Sequence, residues 1–523
     1  MNRLFQTLCV LCLAVAGLQA ERPNILLVMT DDMGFSDLGC YGGEIETPTL
    51  DQLAADGLRF SQFYNTAKCH SSRVSLLTGL WCRQAGDEKL QRAVTIPEVL
   101  QPAGYTTLMS GKWHLTKEPT DFGFERYFGH LSGATNYFRG DNTFRLDGKH
   151  WEVPEEGFYT TTAKVDHALN FLDDARENDK PWFLYLAFNA PHAPLQPLKE
   201  DYERYLKRYQ VGWDVVHTER SEKMNRGKLF GKEIKVSPRP GHVPAWDSLT
   251  PEIQDWESRR MAALAALVHR IDREMARLVA SLKENGELEN TLILFVNDNG
   301  ACPYDRISVG MDKQPYEKGS NWSDSTGWAW ARNTPFRYYK QNQFEGGIAS
   351  PAIVHWPAGL KTDAGSVSHS PAHLVDVMPT FLEVAKTEMP DEFPDRDLQP
   401  LAGQSLTPIF AGESPASRPP IHFLFSKDRA LRDGDWKLVS FRQGPWQLYN
   451  IKEDRTELFN VADQHAGIVE RLSKKWHEMA EDVLRAPKKE RAPVLTEKQT
   501  VHPEWSNYSG KNGAQTSSRT RKK

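Results

Sequence analysis

The chain has 523 residues, of which 39% are hydrophobic and 25% charged, and a formal net charge of -5 at pH 7. That length accommodates one large domain with a sizeable core plus a smaller one. The absence of a basic excess or a basic domain speaks against nucleic-acid binding, and the chain carries no internal repeats.

Residues 1–20 read as a secretory signal peptide: Arg3 supplies a positive start, residues 8–17 an apolar core, and Ala20 a small residue before Glu21. The apolar run is short of the about 20 residues that a bilayer span needs. The protein is therefore expected to be exported, to the periplasm or the extracellular space, without stable membrane insertion. Cleavage would leave Cys40, Cys69, Cys82 and Cys302, too few in so long a chain for a disulfide scaffold.

Residues 24–30 form a continuous apolar run, which predicts a strand buried on both faces of a sheet. It stops at Asp31 and Asp32, adjacent carboxylates whose repulsion a bound cation would relieve. Asp-Asp pairs are more often solvated turns, but the end of a buried strand is where α/β folds place ligands. Thr47 and Pro48 then start a helix through Ala55.

The segment Cys69-His70-Ser71-Ser72-Arg73 runs into the apolar residues 74–77, a first helical turn ending in Thr78-Gly79. A cysteine there meets unpaired backbone N–H groups and the positive end of a helix dipole, and Arg73 adds a guanidinium suited to a tetrahedral oxyanion. The local chemistry is that of a nucleophile beside an anion site; a buried or disulfide-bonded cysteine is the structural alternative. Residues 96–100 predict a short helix and 105–110 a strand. Lys112 and His114 follow, two apart, and in extended geometry would project to one face. Residues 123–129 read as a surface segment bordering the pocket.

Residues 165–172 are helical, and 182–188 predict another buried strand, which delivers His192 between Pro191 and Pro194. Residues 201–246, polar and weakly periodic, read as a long insertion over the active-site face. Thr250-Pro251-Glu252 starts a helix whose apolar stripe continues to Gly286. A third buried strand, 291–296, ends in Asp298 and Asn299. With Asp31 and Asp32 these make three carboxylates and an amide, a donor set for a hard cation, Ca2+ or Mg2+, rather than zinc. Residues 351–356 are a further strand. Beyond about residue 400 the texture changes to short strands at 421–425, 436–441 and 446–451 and a helix at 466–484. Residues 487–523 lack periodicity and read as a disordered basic tail.

Five of these motifs, in order, resemble the type I sulfatases of the alkaline-phosphatase superfamily. Cys69-His70-Ser71-Ser72-Arg73 with Leu77-Thr78-Gly79 is similar to the family's Cys-x-Pro-Ser-Arg and Leu-Thr-Gly, with Ser71 standing where proline is usual. The opening Pro23-Asn24-Ile25 to Asp31-Asp32, Gly111-Lys112-Trp113-His114, Pro191-His192-Ala193-Pro194 and Asp298-Asn299-Gly300 are the others. The resemblance implies an α/β fold, a large mixed sheet sandwiched by helices over residues 21–399, with a small antiparallel-sheet-plus-helix subdomain at 400–486. It implies that a formylglycine-generating maturation enzyme oxidises Cys69, at a motif in which Ser71 is the departure. Three cysteines would then remain, enough for one disulfide.

The same resemblance implies roles. Asp31, Asp32, Asp298, Asn299 and the side chain at 69 would hold the calcium or magnesium ion. Arg73, Lys112 and Lys340 would face the sulfate. His114 would contact the formylglycine hydroxyl and help re-form the aldehyde, and His192 would protonate the leaving oxygen. The expected reaction is hydrolysis of sulfate monoesters, on a sulfated small molecule or carbohydrate. A phosphonate or phosphate-ester hydrolase on the same fold, or a non-catalytic glycan-binding relative lacking formylglycine, are the alternatives.

Overall fold

The computed structural model describes residues 22–491 except 179, 306–311, 416 and 487. The expected signal peptide, and the expected tail apart from 488–491, lie outside the described residues.

The strand Asn24–Asp31 lies in the middle of a ten-stranded mixed sheet. Its neighbours, Trp182–Pro191 and Thr291–Asn297, both run parallel to it. Because both faces are covered, these strands show no polar alternation, the expected mark of a buried parallel sheet. Leu26 and Val28 enter the core on one face, Ile25, Leu27 and Met29 that on the other. Each such side chain contributes about 1.5–3 kcal/mol by leaving water.

Pro251–Glu284, capped by the Thr250 hydroxyl, lays its stripe of Leu264, Val268, Ile271 and Met275 against the first core. The helices Cys69–Thr78 and Val377–Val384 fill the second through Val74, Leu77, Met378 and Phe381. Beyond Trp182–Pro191 the sheet continues through Thr106–Lys112 and Arg126–His130, both parallel. On the other side, Ile353–His355 is antiparallel to Thr291–Asn297, and Leu58–Phe60 is antiparallel to Ile353–His355.

The second unit is a four-stranded antiparallel sheet, Ile421–Phe425, Asp428–Asp433, Trp436–Ser440 and Gln447–Asn450. The helix Ala466–Glu478 backs it, with Trp476 stacked 5.1 Å from His422. Buried ion pairs join the two units: Lys437 Nζ lies 2.7 Å from Glu345 and 2.8 Å from Glu457, and Arg455 pairs with Glu345.

Three expectations change. Residues 123–129 do not form a surface segment; Arg126–His130 is a sheet strand with Tyr127 and Phe128 fully buried. The span 201–246, polar and weakly periodic in sequence, is well packed, since it holds the helix Trp213–Arg226 with Trp213, Val216 and Met224 in the core. Its periodicity is masked because polar Arg220 is itself buried, 2.9 Å from Asp37 and 2.7 Å from Glu44. The strand Asp428–Asp433 was not anticipated, because Arg429 and Arg432 are buried charges in a strand that reads as polar. The last helix is regular only to Glu478 and widens into a π turn over Met479–Val483. All four cysteines among the described residues are free, and no helix of these residues is long and apolar enough to cross a membrane.

Candidate active site

The carboxyl ends of the central strands converge on the start of the Cys69–Thr78 helix. Lys68 is the N-cap and Gly79 closes the helix at φ 68°, a left-handed position that glycine occupies without strain. Ser72 ties the helix to the sheet: its hydroxyl donates to the Asp298 carbonyl at 2.6 Å and accepts from the Thr66 N–H at 3.1 Å. Ser71 donates to the Lys68 carbonyl at 3.0 Å and lies 2.7 Å from the Thr66 hydroxyl. The residue that departs from the motif thus bonds locally across the helix start.

Cys69, Asp31 and Asp298 present donor atoms within 4.8 Å of one another, as do Asp31, Asp32 and His192. Asp31 and Asp32 face different ammonium groups, Lys112 on Asp31 and Lys340 on Asp32. His192 Nε2 stands 3.6 Å from Asp32, and its Nδ1 is 2.6 Å from the Ala193 carbonyl. Asn299 donates its amide to Asp32 at 2.6 Å, and the Asp32 backbone N–H donates to Asp298 at 3.2 Å.

Arg73, fully buried, donates to the Lys112 carbonyl at 3.0 Å and to the Tyr185 hydroxyl at 3.2 Å; its other terminal nitrogen is 3.5 Å from Asp298. Both terminal nitrogens are therefore engaged within the protein, while its Nε has no hydrogen-bond partner. The strand ends at Lys112, and His114 lies beyond it at φ 58°. Lys112 and His114 are accordingly related by a left-handed turn and not by strand pleat. The His114 ring is 6.0 Å from that of His70, which in turn is 6.2 Å from Phe425 of the small sheet.

The charges are unevenly matched. Burial alone would raise the Asp31 and Asp32 carboxyls, but Lys112 and His192 for the first, and Lys340 and His192 for the second, hold both below the usual range. Asp298 moves the other way: burial and the neighbouring Asp31 push it well up, against the pull of Arg73. The Cys69 thiol is opposed by burial, yet Lys112 and Lys340 bring it down to about 6. Burial, reinforced by Lys112 and Arg73, presses His114 to about 2, leaving a neutral imidazole.

Three buried oxygens, Asp31 Oδ1, Asp32 Oδ2 and Asn299 Oδ1, accept no hydrogen bond. Buried acceptors are seldom left so. An oxygen-rich set with unsatisfied lone pairs and one carboxylate short of positive charge fits a hard cation.

Other supporting residues were invisible in the sequence. Asn297 accepts from the Thr30 hydroxyl at 3.0 Å and the Met33 N–H at 3.1 Å, bracing the Asp31-Asp32 turn. Arg332 donates to the Asp32 carbonyl at 2.7 Å and pairs with Asp37 and Asp324. Asp324 and Cys302 bring donor atoms within 4.8 Å of Asp32. No local motif marks these residues, since the contacts that tie them to the Asp31-Asp32 turn are distant in sequence.

The profile of the family described as Sulfatase matches residues 23–387, and that described as N-sulphoglucosamine sulphohydrolase, C-terminal, matches 336–482. The chain is 31% identical over 437 residues to an arylsulfatase of Klebsiella aerogenes, an alignment covering 75% of this chain and 92% of that one. It is 28% identical over 489 residues to an N-acetylglucosamine-6-O-sulfatase of Bacteroides thetaiotaomicron, covering 81% and 79%. The crystal structure of Ps i-CgsB in complex with k-i-k-neocarrahexaose superposes with a TM-score of 0.66 at 26% identity, covering 92% of this chain and 96% of that one. The chain belongs to the sulfatase family and is a sulfuric ester hydrolase.

Proposed function

We propose that the enzyme hydrolyses sulfate monoesters of a carbohydrate outside the cytoplasm, using a formylglycine made from Cys69 by a maturation enzyme and a bound calcium or magnesium ion. The observation that carries this reading is the meeting of three unsatisfied buried oxygens with Cys69 and three cationic side chains. The carbohydrate is supported by the relative that acts as an N-acetylglucosamine-6-O-sulfatase and by the neighbour complexed with neocarrahexaose. Export is supported by the signal-peptide pattern of residues 1–20. We also keep the division into a catalytic unit, 21–399, a small unit, 400–486, and a tail, 487–523.

Asp31, Asp32, Asp298 and Asn299, with the side chain at 69, would hold the cation. Bound there it would neutralise the carboxylates and polarise a sulfo oxygen, and a hydrated formylglycine would supply the attacking hydroxyl. Lys112 and Lys340, one ammonium on either side of the carboxylate pair, would balance the charge of the sulfate oxygens. Arg73 would act from behind, fixing Asp298 and the Lys112 carbonyl.

The two histidines take opposite parts because their surroundings differ. With Nδ1 on the Ala193 carbonyl, His192 turns Nε2 toward Asp32 and the site, from where its imidazolium would protonate the departing alcohol oxygen. His114, held neutral, would accept a proton at its unpartnered Nδ1 when sulfate is released. Desulfation of a panel of defined sulfated saccharides tests the reading. Release of sulfate from at least one sugar is expected, and turnover of aryl sulfates alone would contradict the substrate class.

A further inference from the structure

A cavity of about 630 Å³ lies between the two units and includes none of the residues assigned to catalysis. Ser61 and Gln62, which line it, directly follow Leu58–Phe60. That strand is three places from Asn24–Asp31 in the sheet and, through two antiparallel pairings, runs the same way as Thr291–Asn297. At about 4.8 Å per strand, Leu58–Phe60 lies roughly 14 Å across the sheet from Asn24–Asp31, and Ser61 and Gln62 leave it toward the same carboxyl edge. The cavity's size suits a small ligand or a few sugar units.

Arg432 lines this cavity and is 6% exposed. Its guanidinium bonds to the Tyr64 hydroxyl and reaches the Gly434 carbonyl at 3.4 Å, and it lies over the Tyr64 ring. No carboxylate among the described residues forms an ion pair with it, because those nearby serve other cations. Glu345 takes Lys437 and Arg455, Asp376 takes Arg418, and Asp433 takes Arg471. Glu345 feels the charge of Arg432 only beyond ion-pair range and already holds two cations, so an added anion in the cavity would complete the guanidinium. Two exposed lysines, Lys232 and Lys452, stand on the cavity wall, Lys232 at 3.7 Å from Glu453, which lines the wall with Asp433 and Asp435, and half-buried Phe230 and Ile234 give it an apolar side.

We propose that this cavity is a second binding site, for the oxyanion of a sulfated saccharide, with Arg432 as the anchor and Phe230 as a surface for a sugar ring. Taking a sulfated saccharide as the ligand rests on the substrate reading above. The shared chemistry is the sulfate oxyanion, whose source is either a saccharide or the inorganic product.

The test uses full-length protein carrying Cys69→Ala, which removes turnover, titrated calorimetrically with a heparin-derived hexasaccharide and separately with inorganic sulfate. The hexasaccharide is expected to bind, and Arg432→Gln to weaken it at least tenfold. Lys232→Glu with Lys452→Glu, both exposed, should weaken it similarly and carries the test should Arg432→Gln fail to fold. Inorganic sulfate binding as tightly as the hexasaccharide, and equally sensitive to these changes, would identify the product as the ligand and overturn the saccharide assignment. Absence of binding by both probes, or binding unchanged by the substitutions, would overturn the site itself. Desulfation by the wild-type enzyme, measured in parallel, keeps the two readings apart: sugar desulfation with insensitive binding sinks only this site, and its absence sinks only the substrate class.

Discussion

Arg73 and Asp298 lie 225 positions apart in the chain and meet at 3.5 Å beside Cys69. Asp298 is nevertheless pushed well up, by burial first and then by Asp31. Lys112 and Lys340 serve Asp31 and Asp32, which leaves Arg73 on Asp298, and a divalent cation would complete the unpartnered oxygens of Asp31, Asp32 and Asn299 beside it.

Removal of that cation should therefore abolish activity. Dialysis against a chelator is expected to stop aryl sulfate hydrolysis, with recovery on addition of Ca2+ or Mg2+. Asp298→Ala should bind less than one equivalent of metal by elemental analysis while staying folded. Full activity after exhaustive chelation would exclude the site as described.

His192→Ala should discriminate between leaving groups. An alkoxide leaves poorly without a proton, whereas a nitrophenolate does not need one, so the rate on a sugar sulfate should fall on the order of 10²–10⁴-fold and that on nitrophenyl sulfate much less. Equal losses on both substrates would remove His192 from the role of acid.

Lys437 is buried between Glu345 and Glu457, at 2.7 and 2.8 Å. Lys437→Met leaves two carboxylates facing one another with Arg455, and should cost about 3–5 kcal/mol of stability. The readout is the thermal midpoint and the denaturant midpoint; a change in neither would show that the junction of the two units does not depend on this pair.

Asp428 predicts a pH dependence. Burial pushes its carboxyl up to about 7 from an ordinary 3.8, against weak support from the Arg442 backbone N–H at 3.2 Å. A raised acid favours the protonated folded state, so the folded chain binds more protons than the unfolded one. Its contribution is fully present below pH 3.8 and is lost as the pH rises to about 7, at up to about 1.4 kcal/mol per pH unit. Asp428→Asn should remove this slope, so that unfolding curves of variant and wild type diverge across that window in the variant's favour. Parallel curves would contradict it.

How much could be read beforehand follows from where each signal resides. The strands Asn24–Asp31, Trp182–Pro191 and Thr291–Asn297 were legible because burial on both faces writes itself as an unbroken apolar run. The motif residues that meet in the site sit where such strands end, or at the start of a helix, and so were legible too. Arg126–His130, with Gly129 and two charged or polar ends, carries too short an apolar run to show. Arg220 and Arg432 disguised a helix and a strand, since a buried charge looks like a surface residue until its partner is known. The same reason hid Arg332, whose bond to the Asp32 carbonyl spans 300 positions.

The central claim is that the residue at position 69 is the nucleophile in oxidised form. Mass spectrometry of the peptide containing residue 69, taken from enzyme that turns over a sulfate ester, tests this most directly. The predicted result is a residue that has lost its sulfur and carries an aldehyde or its hydrate. An intact Cys69 thiol throughout the active preparation would contradict it.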